Sequence, residues 1–371
     1  MDDEARATGL GPVPHPAPGG HRRGRRSPYG HPRHDGAGGQ DLSGPTYAAL
    51  DLGTNNCRLL VARATRDSFR VVDAFSRIIR LGEGVTASGR LSEAAIVRAV
   101  EALRVCRNKI RNRGVTRARL IATEACRAAE NGGDFLARVR EEVGIELEIV
   151  DRETEARLAA TGCTPLVDPS SKGVILFDIG GGSSELVRLG RMVPTVHGPP
   201  HPEVEAWVSL PMGVVTLAER HGGVTVTRES FEAMIAEVAQ FVDRFAAQHG
   251  SELEGIHLLG TSGTVTTIAG VYLELPRYER RRVDGCWMND TQVTGVVERL
   301  LAMSYQDRVA NPCIGAERAD LVLAGCAILE AIRRAFPCPR LRVADRGLRE
   351  GMLVQMMRED GAWNSPEAAA P

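Results

Sequence analysis

From residue 47 onward the apolar positions follow two periods. Apolar-rich runs at 47–51 and 58–64 flank Gly53-Thr54-Asn55-Asn56, which predicts a β-hairpin. Ala95, Ile96, Ala99, Val100, Leu103 and Ile110 recur at helical spacing and predict a helix over 92–113 capped by Ser92. Short apolar runs predict strands at 120–123 and 147–150, each leading into a helix, the first opening at Gly133-Asp134 and running through Val143, the second covering about 152–161. Residues 162–172 are loop-like, with Pro165 and Pro169, and mark a domain boundary. The mixture then repeats. Strands are expected at 174–177, 185–189, 256–260 and 341–344, and helices at 229–248, from about 264, at 290–303, at 316–335 and up to about 358. Alternation of strands and helices makes the class α/β.

The first 45 residues are different material. Pro12, Pro14, Pro16 and Pro18 alternate with small residues ahead of an Arg/His/Gly-rich stretch, which cannot bury enough apolar surface to order itself. No apolar segment follows its arginine pairs, so an export signal is not expected. Formal net charge is −1, which excludes a global field for nucleic acid or an anionic membrane. No run of eighteen apolar residues occurs, so no membrane-spanning helix is expected. The eight cysteines are scattered without a C-x-x-C pair, which reads as a cytoplasmic protein with reduced thiols and no structural zinc. Neither Lys109 nor Lys172 stands in a Walker-type loop, and no G-x-G-x-x-G follows an apolar run.

The chemistry is carried by a weak internal repeat. Ala49-Leu50-Asp51-Leu52-Gly53-Thr54-Asn55-Asn56 lies over Leu176-Phe177-Asp178-Ile179-Gly180-Gly181-Gly182-Ser183, 127 positions later. Each is a strand ending in Asp-x-Gly, then small polar residues, then a second strand. Glycines bring backbone N–H groups close to a ligand, and Thr, Asn and Ser add donors. An aspartate beside bound phosphate is tolerable only with a divalent cation or a proton, which makes Asp51 and Asp178 candidate metal ligands. Two ordinary β-turns would give each loop by itself; two facing loops would grip a phosphate chain. Gly260-Thr261-Ser262-Gly263-Thr264 and Ala344-Asp345-Arg346-Gly347 add two strand-to-helix turns, and a helix start offers free N–H groups to an anion. Glu155, one turn into its helix, is a candidate base, and otherwise a solvated glutamate that favours a helix N-terminus. Arg127 and Arg58 are candidate phosphate clamps or surface ion pairs. The run Arg277, Arg280, Arg281 and Arg282 beside Tyr278 reads as a polyanion groove or a solvated loop.

Six motifs in order resemble the exopolyphosphatase/guanosine-pentaphosphate phosphatase family: Asp51 to Leu59, Ala122 to Arg127 with Asn131, Glu155 to Leu158, Asp178 to Leu186, Gly260 to Thr264, and Asp345 to Gly351. The likeness covers about 47–357. It implies a duplicated ribonuclease-H-like, actin-like fold, with one lobe at 46–164, a second at 165–358 and a flexible tail at 359–371. It implies Mg²⁺-dependent removal of terminal phosphate from inorganic polyphosphate, or of the 5′ γ-phosphate from guanosine pentaphosphate, in the cleft between the lobes. Glu155 takes the place of the catalytic glutamate, Asp178 assists water and metal, and Arg127 contacts phosphate. Gly53, Thr54, Asn55, Asn56, Arg58, Gly180, Gly181, Gly182, Ser183, Ser262, Gly263 and Thr264 complete the expected phosphate site. Asn56 stands where serine is more usual. The extra helical domain of long members, which contributes to long-chain binding, has no counterpart in this sequence. A homodimer is expected from the family likeness alone. An ATP-dependent kinase of the same superfamily, or a non-catalytic sensor of polyphosphate or alarmone, would use the same cleft.

Overall fold

The computed structural model describes residues 44–66, 68–194 and 200–363. Nearly all of the expected N-terminal tail and most of the expected C-terminal one lie outside the described residues.

The first sheet starts as a meander of β1 (Thr46–Leu52), β2 (Asn56–Ala64) and β3 (Phe69–Ile78), all antiparallel. Helices α1 (Val85–Ser88) and α2 (Glu93–Asn112) carry the chain back to β4 (Arg117–Ala122), parallel to β1. Helices α3 (Glu124–Ala128) and α4 (Gly132–Val143) lead to β5 (Glu148–Ile149). Helix α5 (Arg152–Cys163) crosses to the second half. There β6 (Gly173–Ile179), β7 (Ser184–Val193) and β8 (His201–Leu210) form a second meander. Helices α6 (Val214–His221) and α7 (Arg228–His249) return to β9 (Ile256–Thr261), parallel to β6. Then come α8 (Gly263–Tyr272), α9 (Arg280–Val283), β10 (Trp287–Asn289), α10 (Asp290–Ala302), α11 (Tyr305–Ala310), α12 (Val322–Ala335), β11 (Arg340–Ala344) and α13 (Leu348–Glu359).

The strand orders are β3-β2-β1-β4-β5 and β10-β11-β9-β6-β7-β8. Apart from β10, which pairs antiparallel on the far edge, the second sheet repeats the first strand for strand. The repeat seen in the sequence is therefore a repeat of the fold, of the ribonuclease-H-like, actin-like kind.

The helix expected over 92–113 forms because Ser92 Oγ accepts from the Ala95 amide at 3.3 Å and its apolar stripe, Ala95 through Cys106, is buried. The helix expected from residue 316 starts later, at Val322. Gly315 is left-handed, and the turn after it is closed by Arg318 N to Gly315 O at 3.2 Å.

The closing helix of each half covers the sheet of the other. Ala156, Ala160 and Cys163 of α5 pack with Val174, Leu176 and Val187 of the second sheet. Met352, Leu353, Met356 and Met357 of α13 pack with Tyr47, Ala49, Leu60 and Ala62 of the first. Helix α13, within residues 165–358 by sequence order, thus completes the first lobe's core. The two helices cross through glycines: a Cβ on Gly162 would lie 2.0 Å from the Gly347 carbonyl oxygen, and one on Gly351 1.9 Å from that of Leu158. No helix among the described residues is long and apolar enough to cross a membrane.

Candidate active site

Between the lobes lies a cleft of about 590 Å³ whose walls include both Asp-x-Gly loops, both strand-to-helix turns, Arg58, Glu155 and Asp178. The two loops are built alike. Gly53 N donates to Asn56 O at 2.9 Å, and Gly180 N donates to Ser183 O at 2.9 Å. Each loop is then held from outside by the segment after its meander. Ile79 N and Arg80 N donate to Asn55 O and Gly82 N to Thr54 O, while Val214 N donates to Gly180 O and Val215 N to Gly181 O. The loops touch across the cleft: a Cβ on Gly181 would meet Thr54 Cβ at 2.9 Å and the Asn55 nitrogen at 3.2 Å. Only glycine lets two such loops approach so closely.

The hairpin registers set the charged groups. Asp51 stands opposite Arg58 on β2, and Asp178 stands opposite Glu185 on β7. The duplicated position thus carries a cation in one lobe and an anion in the other. Asp151 caps α5 by accepting from Thr154 N at 2.7 Å, which sets Glu155 one turn in, facing the cleft. Arg127 Nη2 donates to Glu155 Oε2 at 3.2 Å, Arg127 Nη1 donates to Val150 O at 2.6 Å, and the same guanidinium pairs with Glu124. Arg127 is therefore not among the lining residues: it holds two carboxylates from behind, where a phosphate clamp was expected.

Burial and mutual repulsion dominate the electrostatics. Burial, then Glu185, pushes the Glu155 carboxyl well above the ordinary range, with Arg127 opposing and Asp51 and Asp178 adding. Burial and Asp178 bring Glu185 up to about 7. Burial raises Asp178 to about 6 against the pull of Arg58, with Asp51 adding to the rise. Asp51 is raised by burial against Arg58 and Arg349. Such a group of strained carboxylates suits a cation. Asp51 and Asp178 both line the cleft, and their buried carboxyls are hard oxygen donors of the kind that fits a divalent cation.

Ser262, Gly263 and Thr264 line the cleft, but Ser262 Oγ accepts from the amides of Thr264 at 3.2 Å and Val265 at 3.4 Å. The Thr264 N–H, one of those expected to face phosphate, is thus satisfied internally. Of the arginine run 277–282, Arg280 lines the cleft, where its Nε donates to Asp345 O at 3.0 Å and its Nη2 to Glu350 at 3.0 Å, while Arg277 is exposed and, with Arg281 and Arg282, is not among the lining residues. Tyr278 donates its hydroxyl to Asp345 at 2.7 Å and lines the cleft.

Two cleft residues escaped the sequence reading. Glu185 was legible as a motif position but its placement opposite Asp178 came from strand register. Arg318, in the turn before α12, had no motif to mark it and falls in the first turn of the helix expected from residue 316. Its guanidinium lies beside Gly263, 3.5 Å from where a Cβ would be, and it makes no ion pair among the described residues. Burial and the neighbouring Arg58 both lower its pKa.

Two sheets of one strand order, with an Asp-ended hairpin loop from each meeting in a shared cleft, define a duplicated α/β protein of the actin-like fold. The particular kinship is equally plain: the sequence profile of the Ppx/GppA phosphatase family matches residues 60–360, and the chain belongs to that family. It is 28% identical over 313 residues to a guanosine-5′-triphosphate,3′-diphosphate pyrophosphatase of Aeromonas salmonicida, covering 84% of this chain and 60% of that one. The chain spans about three-fifths of the length of that relative. A Ppx/GppA family member from Aquifex aeolicus superposes with a TM-score of 0.69 at 28% identity, over 85% of this chain and 98% of that one. An exopolyphosphatase from Cytophaga hutchinsonii shares the fold with a TM-score of 0.76 at 22% identity, over 85% and 98%.

Proposed function

We propose that the protein hydrolyses the terminal phosphoanhydride of inorganic polyphosphate by in-line attack of water. The observation that carries this reading is the position of Glu155, on the cleft wall with both phosphate loops and held by Arg127. The terminal phosphates lie between loops 53–56 and 180–183, whose amides, with Arg58 and Arg318, neutralise the charge that develops on phosphoryl oxygens. Glu155 takes the proton of the attacking water as its oxygen bonds to phosphorus, and the anhydride P–O bond breaks to release the shortened chain. Asp178, opposite Glu185, helps to orient that water. Asp51 and Asp178 would hold Mg²⁺, which supplies neutralisation of the phosphate charge.

Phosphate release from short and long polyphosphates with Mg²⁺ tests this. Glu155→Gln is expected to lower turnover by about 10²–10⁴-fold. Wild-type turnover in that variant would refute the assignment of the base. Tight polyphosphate binding with no release from the wild type would make the protein a sensor.

A second reading, removal of the 5′ γ-phosphate of guanosine pentaphosphate, is supported by the name of the Aeromonas relative. The same terminal anhydride is presented by both substrates, and competition between them in one assay ranks the two.

A further inference from the structure

Arg80 follows β3 and does not line the cleft, yet its two ends meet both lobes. Its amide donates to Asn55 O at 3.1 Å, beneath the first phosphate loop. Its guanidinium reaches the second lobe, where Nη1 and Nη2 donate to the two Asp320 oxygens at 2.8 and 2.9 Å and Nη2 to Glu317 O at 3.3 Å. Asp320 lies two residues beyond Arg318, in the same turn. Four residues on, Gly84 N donates to Glu219 Oε1 of α6 at 2.8 Å, and α6 is the helix whose first amides hold the second phosphate loop. Arg98 fixes the segment from behind, donating to Ile79 O at 2.7 Å and to Arg80 O at 3.2 Å. Arg80 also sits at φ 47°, a left-handed conformation that arginine seldom adopts. Strain of this sort persists where surrounding contacts hold it in place.

We infer that Arg80 is a positioning residue: its bidentate pair with Asp320 latches the lobes shut and fixes Arg318 and loop 53–56 at one separation. Without the latch the closed, binding-competent state is less populated, so apparent affinity falls in proportion. Saturating substrate restores closure by its own contacts, so turnover recovers. The latch therefore acts on KM and spares kcat.

The kinetic readout rests on the proposed hydrolysis, and the binding and scattering readouts do not. Arg80→Gly is the clean deletion, because glycine adopts the left-handed conformation without strain while the guanidinium is lost. With tripolyphosphate and Mg²⁺ on the full chain, it is expected to raise KM about tenfold, the usual size for a close charge pair, with kcat within about twofold. Arg80→Lys, with one contact in place of two, falls between. Asp320→Asn reproduces the effect, the double variant adds nothing to it, and the swap Arg80→Asp with Asp320→Arg regains part of the affinity. Small-angle scattering of Arg80→Gly without ligand shows a larger radius of gyration than wild type, and tripolyphosphate reverses it. An unchanged KM, equal losses in kcat and active fraction, or additive single variants would overturn the latch. If wild type releases no phosphate, the hydrolase reading fails by itself, and the latch then stands or falls on tripolyphosphate affinity by calorimetry and on the scattering.

Discussion

At the scale of single residues, burial gives opposite signs to acids and bases. Glu185 is the largest charged contribution to the raised pKa of Glu155. The base works ionised, so kcat/KM falls as pH drops through that raised pKa. Glu185→Gln removes a like charge and is expected to move the acid limb of kcat/KM to lower pH. A limb that stays in place would show that Glu185 does not tune the base. His257 on β9 is the counterpart far from the cleft. It is 1% exposed, both ring nitrogens lack a hydrogen-bond partner among the described residues, and it meets the Trp287 ring edge-on at 5.0 Å. Burial holds its pKa down to about 4, with Arg340 and Arg342 adding and Asp168 opposing. The unfolded chain then binds the extra proton between about 6.5 and about 4, so stability is full above that window and is lost as pH falls through it. The loss is on the order of 3 kcal/mol. Urea unfolding of His257→Leu against wild type across pH 4–7 is expected to show a flatter curve for the variant. What the sequence revealed here followed from type and spacing. Asp51, Asp178 and Glu155 stand at strand and helix ends, where a carboxylate is conspicuous. Arg318 is one cation among 46, in a stretch that reads as the opening of a helix, and only folding brings it to Arg58.

At the scale of elements, the crossing of α5 and α13 is the most demanding contact. A methyl group on Gly351 would lie 1.9 Å from a backbone carbonyl oxygen, and backbone has no flexible end to yield. Gly351→Ala is therefore expected to cost at least about 2 kcal/mol, more than an exposed Gly→Ala change in a helix, which usually stabilises. Chemical denaturation measures it, and Gly295→Ala, with open space around it, is the matched control. Two of the strands missed in the sequence share a cause. Strands β3 and β8 are edge strands, and their polar positions, such as Arg70, Asp73 and Arg77 or Glu203 and Glu205, blur the alternation. Register shifts at Val61/Ala62 and around Leu189 break the period again. The hairpin partners β1, β2, β6 and β7, with long buried runs, were visible.

At the scale of the whole molecule, two sheets need not mean two folding units. Each sheet is covered by a helix from the other half, so neither half buries its apolar face unaided. Scanning calorimetry is expected to give one transition with equal calorimetric and van't Hoff enthalpies. Two resolved transitions would show that the lobes melt independently. The same exchange bears on how the chain is made. Tyr47, Ala49, Leu60 and Ala62 leave the ribosome early, while Met352, Leu353 and Met356, which seal that face, come some 300 residues later. At about 5–20 residues per second the nascent first lobe waits tens of seconds with an open apolar flank. The order of synthesis thus leaves that flank open to solvent and to other chains for up to about a minute, however stable the finished molecule becomes.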